Sequence, residues 1–162
     1  MTDDIRHQTT DNRVRATGVA TTRAHYSFRD LAVWQKAQDL SLHVLQVVRA
    51  MPSDRTSAVL TQQILRSATS IAANIAEGHG RFTSPAYRNH LSIARGSANE
   101  TLSWIDLLAR AGYISKEREH ELSVRCEEAL RMISAQMIAL SRPAKSRTDG
   151  GEASTRTRRS NV

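Results

Sequence analysis

The sequence predicts an all-α protein, folded as an antiparallel up-down-up-down four-helix bundle. Apolar residues recur at spacings of three and four through four segments, no segment alternates like a strand, and the connecting segments are short. The chain has 162 residues, 40% of them hydrophobic, which suits one domain with a core. We therefore predict a bundle over residues 28–142, between disordered tails at 1–27 and 143–162 that lack apolar periodicity.

The first two helices are separated by a proline and a capping residue. Helix 1 is predicted to begin near Asp30 and helix 2 to run from Asp54 or Thr56 to Glu77, because Pro52-Ser53-Asp54 ends the first helix and offers a capping residue for the second. Their predicted core positions are Val33, Ala37, Leu40, Val44, Val47 and Met51, then Leu60, Ile64, Ser67, Ile71 and Ile75.

The last two helices have equally clear limits. Ser84 and Pro85 begin helix 3, since proline at the first helical position loses no needed donor, and Gly112 ends it as a left-handed cap. Helix 4 starts after Ser115. The predicted core positions are Tyr87, Leu91, Ala94, Ala98, Ile105 and Leu108, then Leu122, Cys126, Ala129, Ile133, Met137 and Leu140.

The segment 70–82 is the most distinctive part of the sequence. Its small residues predict the closest helix crossing of the fold, because small side chains let two backbones approach. Asn74 and Glu77 lie within it and need polar partners, and we expect Gly78 and Gly80 to end the helix.

Three stretches together resemble the four helix bundle protein family, also called the S23 or 23S rRNA intervening-sequence protein family. They cover about residues 28–140, in the order and spacing of the family. The matching stretches are Phe28–Ala37, Gln63–Gly78 with Gly80 and Arg81, and Tyr87 with Leu91–Glu100.

The resemblance implies a helical bundle that assembles into a homopentamer with a central channel. It also implies genes within intervening sequences of bacterial rRNA genes, and relatives among the accessory proteins of diversity-generating retroelements, which bind nucleic acid and a reverse transcriptase. No enzymatic activity is associated with the family.

Helices 2 and 3 run antiparallel about a turn near Arg81, so residues whose numbers sum to about 162 are predicted to lie level. Ser70 then faces Ser92, and Arg66 faces Gly96 and Glu100. We expect a buried Arg66–Glu100 ion pair, with Gly96 providing room for the guanidinium; separate solvation is the alternative. The predicted structural polar network consists of Arg66, Asn74, Glu77 and Glu100.

Basic residues are the candidate nucleic-acid contacts. The chain has a net charge of +7, and more than half of this excess lies in residues 141–162. Such a tail suggests a polyanionic partner, or it is a solvated extension without function. Helix 3 presents a second set, which is either a basic face whose charge a ring of subunits would multiply or an ordinary solvated surface with acidic neighbours such as Asp106. The candidates are Arg81, Arg88, Arg95 and Arg110, then Arg142, Lys145, Arg147, Arg156, Arg158 and Arg159.

No catalytic or metal-binding pattern is convincing. Gly78 and Gly80 follow no strand, unlike a phosphate-binding loop, and Glu117 with His120 supplies only one Glu-x-x-His motif on a first helical turn. A single cysteine excludes an internal disulfide. We therefore expect a cytoplasmic, non-enzymatic, oligomeric scaffold that binds structured RNA, without metal, cofactor or membrane. The alternative is a protein-interaction adaptor, for example for a reverse transcriptase.

Overall fold

Four long helices make up the fold. The computed structural model describes residues 27–81 and 83–141. A short 3-10 helix, Phe28–Asp30, precedes the four α-helices, and the described residues contain no strand. The predicted all-α four-helix class is confirmed, whereas the predicted tails, apart from Ser27, lie outside the described residues. The helices are α1 (Ala32–Arg49), α2 (Arg55–His79), α3 (Ser84–Arg110) and α4 (Lys116–Ala139).

Side-chain caps fix the helix starts close to the predicted positions. The Asp54 carboxylate accepts a hydrogen bond from the Ser57 backbone N–H, which satisfies a donor at the start of α2. This bond, together with that from the Ser57 hydroxyl, lowers the pKa of Asp54 below its ordinary value. The Ser115 hydroxyl caps α4 in the same way, and Thr83 caps α3 immediately before the predicted Ser84.

The core lies along the predicted apolar stripes. Most predicted positions are fully buried, and Met51, Leu60, Tyr87, Met137 and Leu140 are partly buried at its margins. Polar side chains that the apolar pattern does not reveal also reach the interior: Ser41, Ser57 and Thr101 are buried. The Ser41 hydroxyl lies 2.9 Å from the Ala37 carbonyl oxygen on its own helix and 3.1 Å from that of Ala68 on α2.

Contacts between helices show that neighbours run antiparallel. Pairs joining α2 to α3 have residue numbers that add to about 167, as in Ser70 with Ser97, and pairs joining α1 to α4 add to about 164, as in Asp39 with Arg125. The hydrogen bond between Tyr87 and Gln136 joins the start of α3 to the end of α4, so these two helices are also antiparallel. Each helix therefore packs beside its sequence neighbour, and α4 closes the bundle against α1.

Gly78 marks a close approach between α2 and α3 and does not end α2. It is buried inside the helix, which continues to His79 before its cap at Gly80. An added Cβ at Gly78 would lie 2.6 Å from Tyr87 Cδ2 and 2.7 Å from His90 Cβ. The prediction that Gly78 terminates the helix was wrong, because packing against α3 requires the glycine there. Gly112 has a φ of +78°, the left-handed backbone expected after α3.

We define the α2/α3 seam by its small polar contacts. The hydroxyls of Ser70 and Ser97 lie 2.9 Å apart, and the Thr101 hydroxyl donates to that of Ser67 across 3.0 Å. The Asn74 amide donates to the Ser70 carbonyl oxygen on its own helix, at 2.8 Å. The two hydroxyl pairs hold the helices in register at short distance, and Asn74 supports Ser70 from within α2.

We define the α1/α4 seam by its charged contacts, which the sequence analysis did not identify. Arg125 donates to Asp39 across 2.7 Å, and Lys36 lies 3.0 Å from Glu128. Arg125 also lies 3.4 Å from Glu121 on its own helix. About a third of the Arg125 side chain is exposed (33%), so water screens this seam more than the α2/α3 seam.

Candidate nucleic-acid interface

Helix α3 places two of its candidate arginines on one side. Arg88 and Arg95 are seven residues apart, which is two helical turns and a separation of about 10.5 Å along the axis. They share the side of α3 that faces α4, because Arg95 lines a groove between these two helices. Both side chains are exposed. The heptad spacing therefore presents two positive charges in one direction.

The other two arginines are compensated locally. The Arg81 guanidinium forms an ion pair with Glu77, and its Nε donates to His90 Nε2 across 3.1 Å. At the opposite end of α3, Arg110 lies 3.5 Å from Asp106, one turn earlier. Each arginine thus has a carboxylate partner on the protein, which reduces the positive potential that it presents.

Arg88 and Arg95 differ from these two in their surroundings. Within residues 27–81 and 83–141, no carboxylate oxygen lies within 4.0 Å of either guanidinium. A phosphate approaching this side of α3 meets two charges without displacing a protein carboxylate. The four predicted arginines therefore do not form one continuous site.

The groove beside Arg95 contains polar residues that the sequence analysis missed. Arg131 and Ser134 of α4 lie opposite Arg95 and Asn99 of α3, and Arg131 is 4.0 Å from Glu127. The spacing of Arg131, Ser134 and Ile138 along α4 was the available signal, since such residues share one helix face. We call this feature the α3/α4 groove; it is lined by Arg95, Asn99, Leu130, Arg131, Ser134, Ala135 and Ile138.

The predicted polar network divides into three separate groups. Asn74 bonds within the serine cluster, whereas Glu77 joins Arg81. Arg66 and Glu100 form a third group. The register of α2 and α3 differs from the prediction by about five residues, so Ser70 faces Ser97 and not Ser92. The offset comes from how the two helices pack and not from the turn, because α2 ends at His79 and α3 begins at Ser84, close to the predicted turn at Arg81.

Arg66 and Glu100 lie together, but at the surface. Their charged atoms are 3.6 Å apart, with 71% of the Arg66 side chain and 41% of the Glu100 side chain exposed. The expectation of a buried pair was therefore wrong, and a surface pair contributes little to stability. Gly96 has no steric role here, since a Cβ at this position would meet no atom within 4 Å. The indole Nε1 of Trp104 donates to Glu100 across 3.4 Å.

The single Glu-x-x-His motif lies at a helix end. Glu117 and His120 are exposed on the first turn of α4. Hydrogen bonds from its own backbone N–H and from Ser115 lower the pKa of Glu117, as is typical of a helix start. In the described parts of the chain, no cluster of three or more His, Cys, Asp or Glu side chains could hold a metal ion.

The single cysteine is buried between α3 and α4. Cys126 Sγ lies 3.3 Å from the Ala98 carbonyl oxygen, to which the thiol donates. Burial, with a smaller contribution from the charge of Glu127, raises the pKa of Cys126 to about 12. The thiol is therefore protonated at neutral pH and is not an activated nucleophile.

Comparison with known families now assigns the chain. Residues 29–135 match the family described as 23S rRNA-intervening sequence protein. The chain belongs to this family. The matched region includes every residue that lines the α3/α4 groove except Ile138, and it includes four of the candidate arginines: Arg81, Arg88, Arg95 and Arg110. The basic tail candidates follow the matched region.

A solved structure gives the same assignment. The chain is similar to a protein of unknown function from the S23 ribosomal protein family of Bacteroides thetaiotaomicron VPI-5482. The two are 30% identical, the similarity covers 65% of this chain and 97% of that chain, and the TM-score is 0.62. A search of curated proteins finds no match.

The predictions about membrane helices and about the basic tail concern different parts of the chain. None of the helices in the described part of the chain is long and apolar enough to cross a membrane. Six candidate nucleic-acid contacts of the basic tail lie outside the described residues: Arg142, Lys145, Arg147, Arg156, Arg158 and Arg159. Their contribution to binding stays a prediction.

Proposed function

We propose that this protein is a non-enzymatic, oligomeric scaffold that acts in the cytoplasm and binds structured RNA through the α4-facing side of α3. The observation that carries this proposal is the pair of exposed arginines, Arg88 and Arg95, which lack a carboxylate partner within residues 27–81 and 83–141. Membership of a family named for 23S rRNA intervening sequences supports RNA as the polyanion.

Assembly would multiply this charge. In a closed ring each copy presents the same two arginines, so the positive potential grows with the number of subunits. Exposed apolar side chains support an intersubunit contact: Ile93 and Leu107 lie on the outer side of α3, and Val59 is exposed on α2. A homopentamer, implied by the resemblance, is the assembly that we propose.

A salt titration of binding to a structured RNA tests the proposal with the full-length chain. We expect the Arg88→Ala/Arg95→Ala variant to bind at least tenfold more weakly and to reduce the slope of log affinity against log salt by about 2, one per phosphate contact. Arg49→Ala/Arg55→Ala is the matched control, since it removes two exposed arginines near the α1–α2 connection, at the far end of the bundle from Arg88.

Three results would overturn parts of the proposal. Equal losses in both double variants would mean that binding depends on total charge and not on α3. Binding that requires only the segment after residue 141 would assign the RNA contact to the tail. A mass measurement showing a monomer would exclude the ring.

The second candidate is a protein-interaction adaptor, for example an accessory subunit of a reverse transcriptase. The observation that favours it is the set of exposed apolar side chains, since such residues are typical of protein contacts: Leu42, Val59, Ile93, Leu107, Val124 and Ile138. If the purified protein carries no nucleic acid and binds no structured RNA at low salt, the adaptor becomes the better interpretation.

A further inference from the structure

We propose that the α3/α4 groove distinguishes duplex RNA from duplex DNA, with Asn99 and Ser134 contacting the ribose 2′-hydroxyls. This inference rests on the proposed RNA-binding function and names the class of nucleic acid and the residues that select it. Arg88 and Arg95 provide charge for both duplexes, whereas the two uncharged side chains provide the preference for RNA.

The chemistry of the groove matches a sugar–phosphate backbone. Arg95 and Arg131 border it, and Asn99 is exposed beside them. An amide and a hydroxyl can each donate and accept hydrogen bonds, as a 2′-hydroxyl also can. Because DNA lacks this group, contacts made by Asn99 and Ser134 are lost on DNA while the arginine–phosphate contacts remain.

The groove does not resemble a site for unstacked bases. Its lining, within the described residues, includes no aromatic side chain. The nearby Tyr87 is partly buried, and its hydroxyl accepts a hydrogen bond from Gln136 at 2.8 Å. Sequence-tolerant binding of single strands depends on aromatic stacking, so this surface is better suited to a duplex backbone.

The shape of duplex RNA is also compatible with the α3/α4 groove, which is open to solvent. The A-form minor groove is wide and shallow and displays 2′-hydroxyls, whereas the deep major groove is closed to side chains. The exposed side chain of Ile138 and the partly buried Leu130 supply apolar contact beside the polar groups. Such a surface can follow the backbone of a duplex without reading its bases.

The test compares RNA and DNA duplexes of the same sequence and length at several salt concentrations, using the full-length protein. We expect wild-type protein to prefer RNA, and Asn99→Ala/Ser134→Ala to reduce this preference about tenfold, as expected for the loss of two hydrogen bonds. The salt slope should stay unchanged because no charge is removed. Asn99→Gln/Ser134→Thr is the control, since it keeps an amide and a hydroxyl and should keep most of the preference.

The outcomes separate this inference from the proposed function. If wild-type protein binds both duplexes equally with a steep salt slope, the inference is wrong and nucleic-acid binding stands. If single-stranded RNA binds as tightly as the duplex, the assigned ligand class is wrong. If the alanine variant keeps its preference for RNA, other residues contact the 2′-hydroxyls. If wild-type protein binds no nucleic acid, both proposals fail.

Discussion

The α2/α3 seam and the α1/α4 seam join neighbouring helices by different physical means. The first uses hydroxyls and a glycine at short distance, as in Ser70 with Ser97 and at Gly78. The second uses partly exposed ion pairs, as in Asp39 with Arg125. Steric fit therefore sets the register of α2 and α3, where the Arg66–Glu100 ion pair is largely exposed, whereas the polar contacts between α1 and α4 are ion pairs that salt can screen.

The largest expected effect comes from removing the close approach at Gly78. Gly78→Val places a branched side chain where a single Cβ already lies 2.6 Å from Tyr87 Cδ2. We expect a loss of about 3 kcal/mol in the free energy of unfolding, the upper part of the usual range for overpacking. Urea denaturation followed by circular dichroism measures it.

The matched control is Gly96→Val, because Gly96 is also a helical glycine but has no atom within 4 Å of its added Cβ. It should leave stability almost unchanged. Thiol labelling of Cys126 gives a second measurement, since burial raises its pKa to about 12 and labelling at pH 8 reports opening of the bundle. Equal labelling rates in the two valine variants would contradict a tight α2/α3 seam.

A smaller effect is expected from the buried hydroxyl at position 101. Thr101→Val keeps the side-chain shape but removes the hydrogen bond to Ser67 Oγ, 3.0 Å away. We expect a loss of about 1 kcal/mol, typical of a buried hydrogen bond. Thermal unfolding at 0.05 M and 1 M NaCl should give the same loss relative to wild type, because neither group is charged. A loss that disappears in high salt would show that the α2/α3 contact depends on charge, as the α1/α4 contacts do.

The smallest effect is expected at the α1/α4 seam. A double-mutant cycle of Asp39→Ala and Arg125→Ala should give a coupling free energy of about 0.5 kcal/mol at low salt, because both side chains are partly exposed. The coupling should fall towards zero at 1 M NaCl, where the Debye length is about 3 Å. The exposed pair Arg110–Asp106 provides a reference cycle within one helix. A coupling that salt leaves unchanged would show that this seam is not electrostatic.

The sequence predicts the local parts of the fold well. Helix starts at Asp54, Ser84 and Ser115 follow from capping chemistry, and the apolar stripes follow from the helical period. The left-handed backbone of Gly112 likewise follows from its position after α3. In each case the relevant interactions join residues that are close in sequence.

The sequence predicts contacts between helices less well. The α2/α3 register depends on packing between the helices, such as the close approach of Gly78 to Tyr87 and His90, which no local pattern reveals. At the candidate site, heptad spacing identified Arg88 and Arg95, but no local pattern brings Arg131 beside Asn99. The compensation of Arg81 by Glu77 and of Arg110 by Asp106, by contrast, follows from local spacing, because each carboxylate lies four residues before its arginine.

The two seams also differ in the length of chain that must be closed to form them. Asp39 and Arg125 are 86 residues apart, whereas Ser70 and Ser97 are 27 apart. Closing the longer loop from an unfolded chain costs about 1 kcal/mol more in entropy. The α2–α3 hairpin is therefore expected to form early in folding, and the α1/α4 seam to form after the main barrier. Changes in the charged seam should then alter how fast the protein unfolds and leave its folding rate nearly constant.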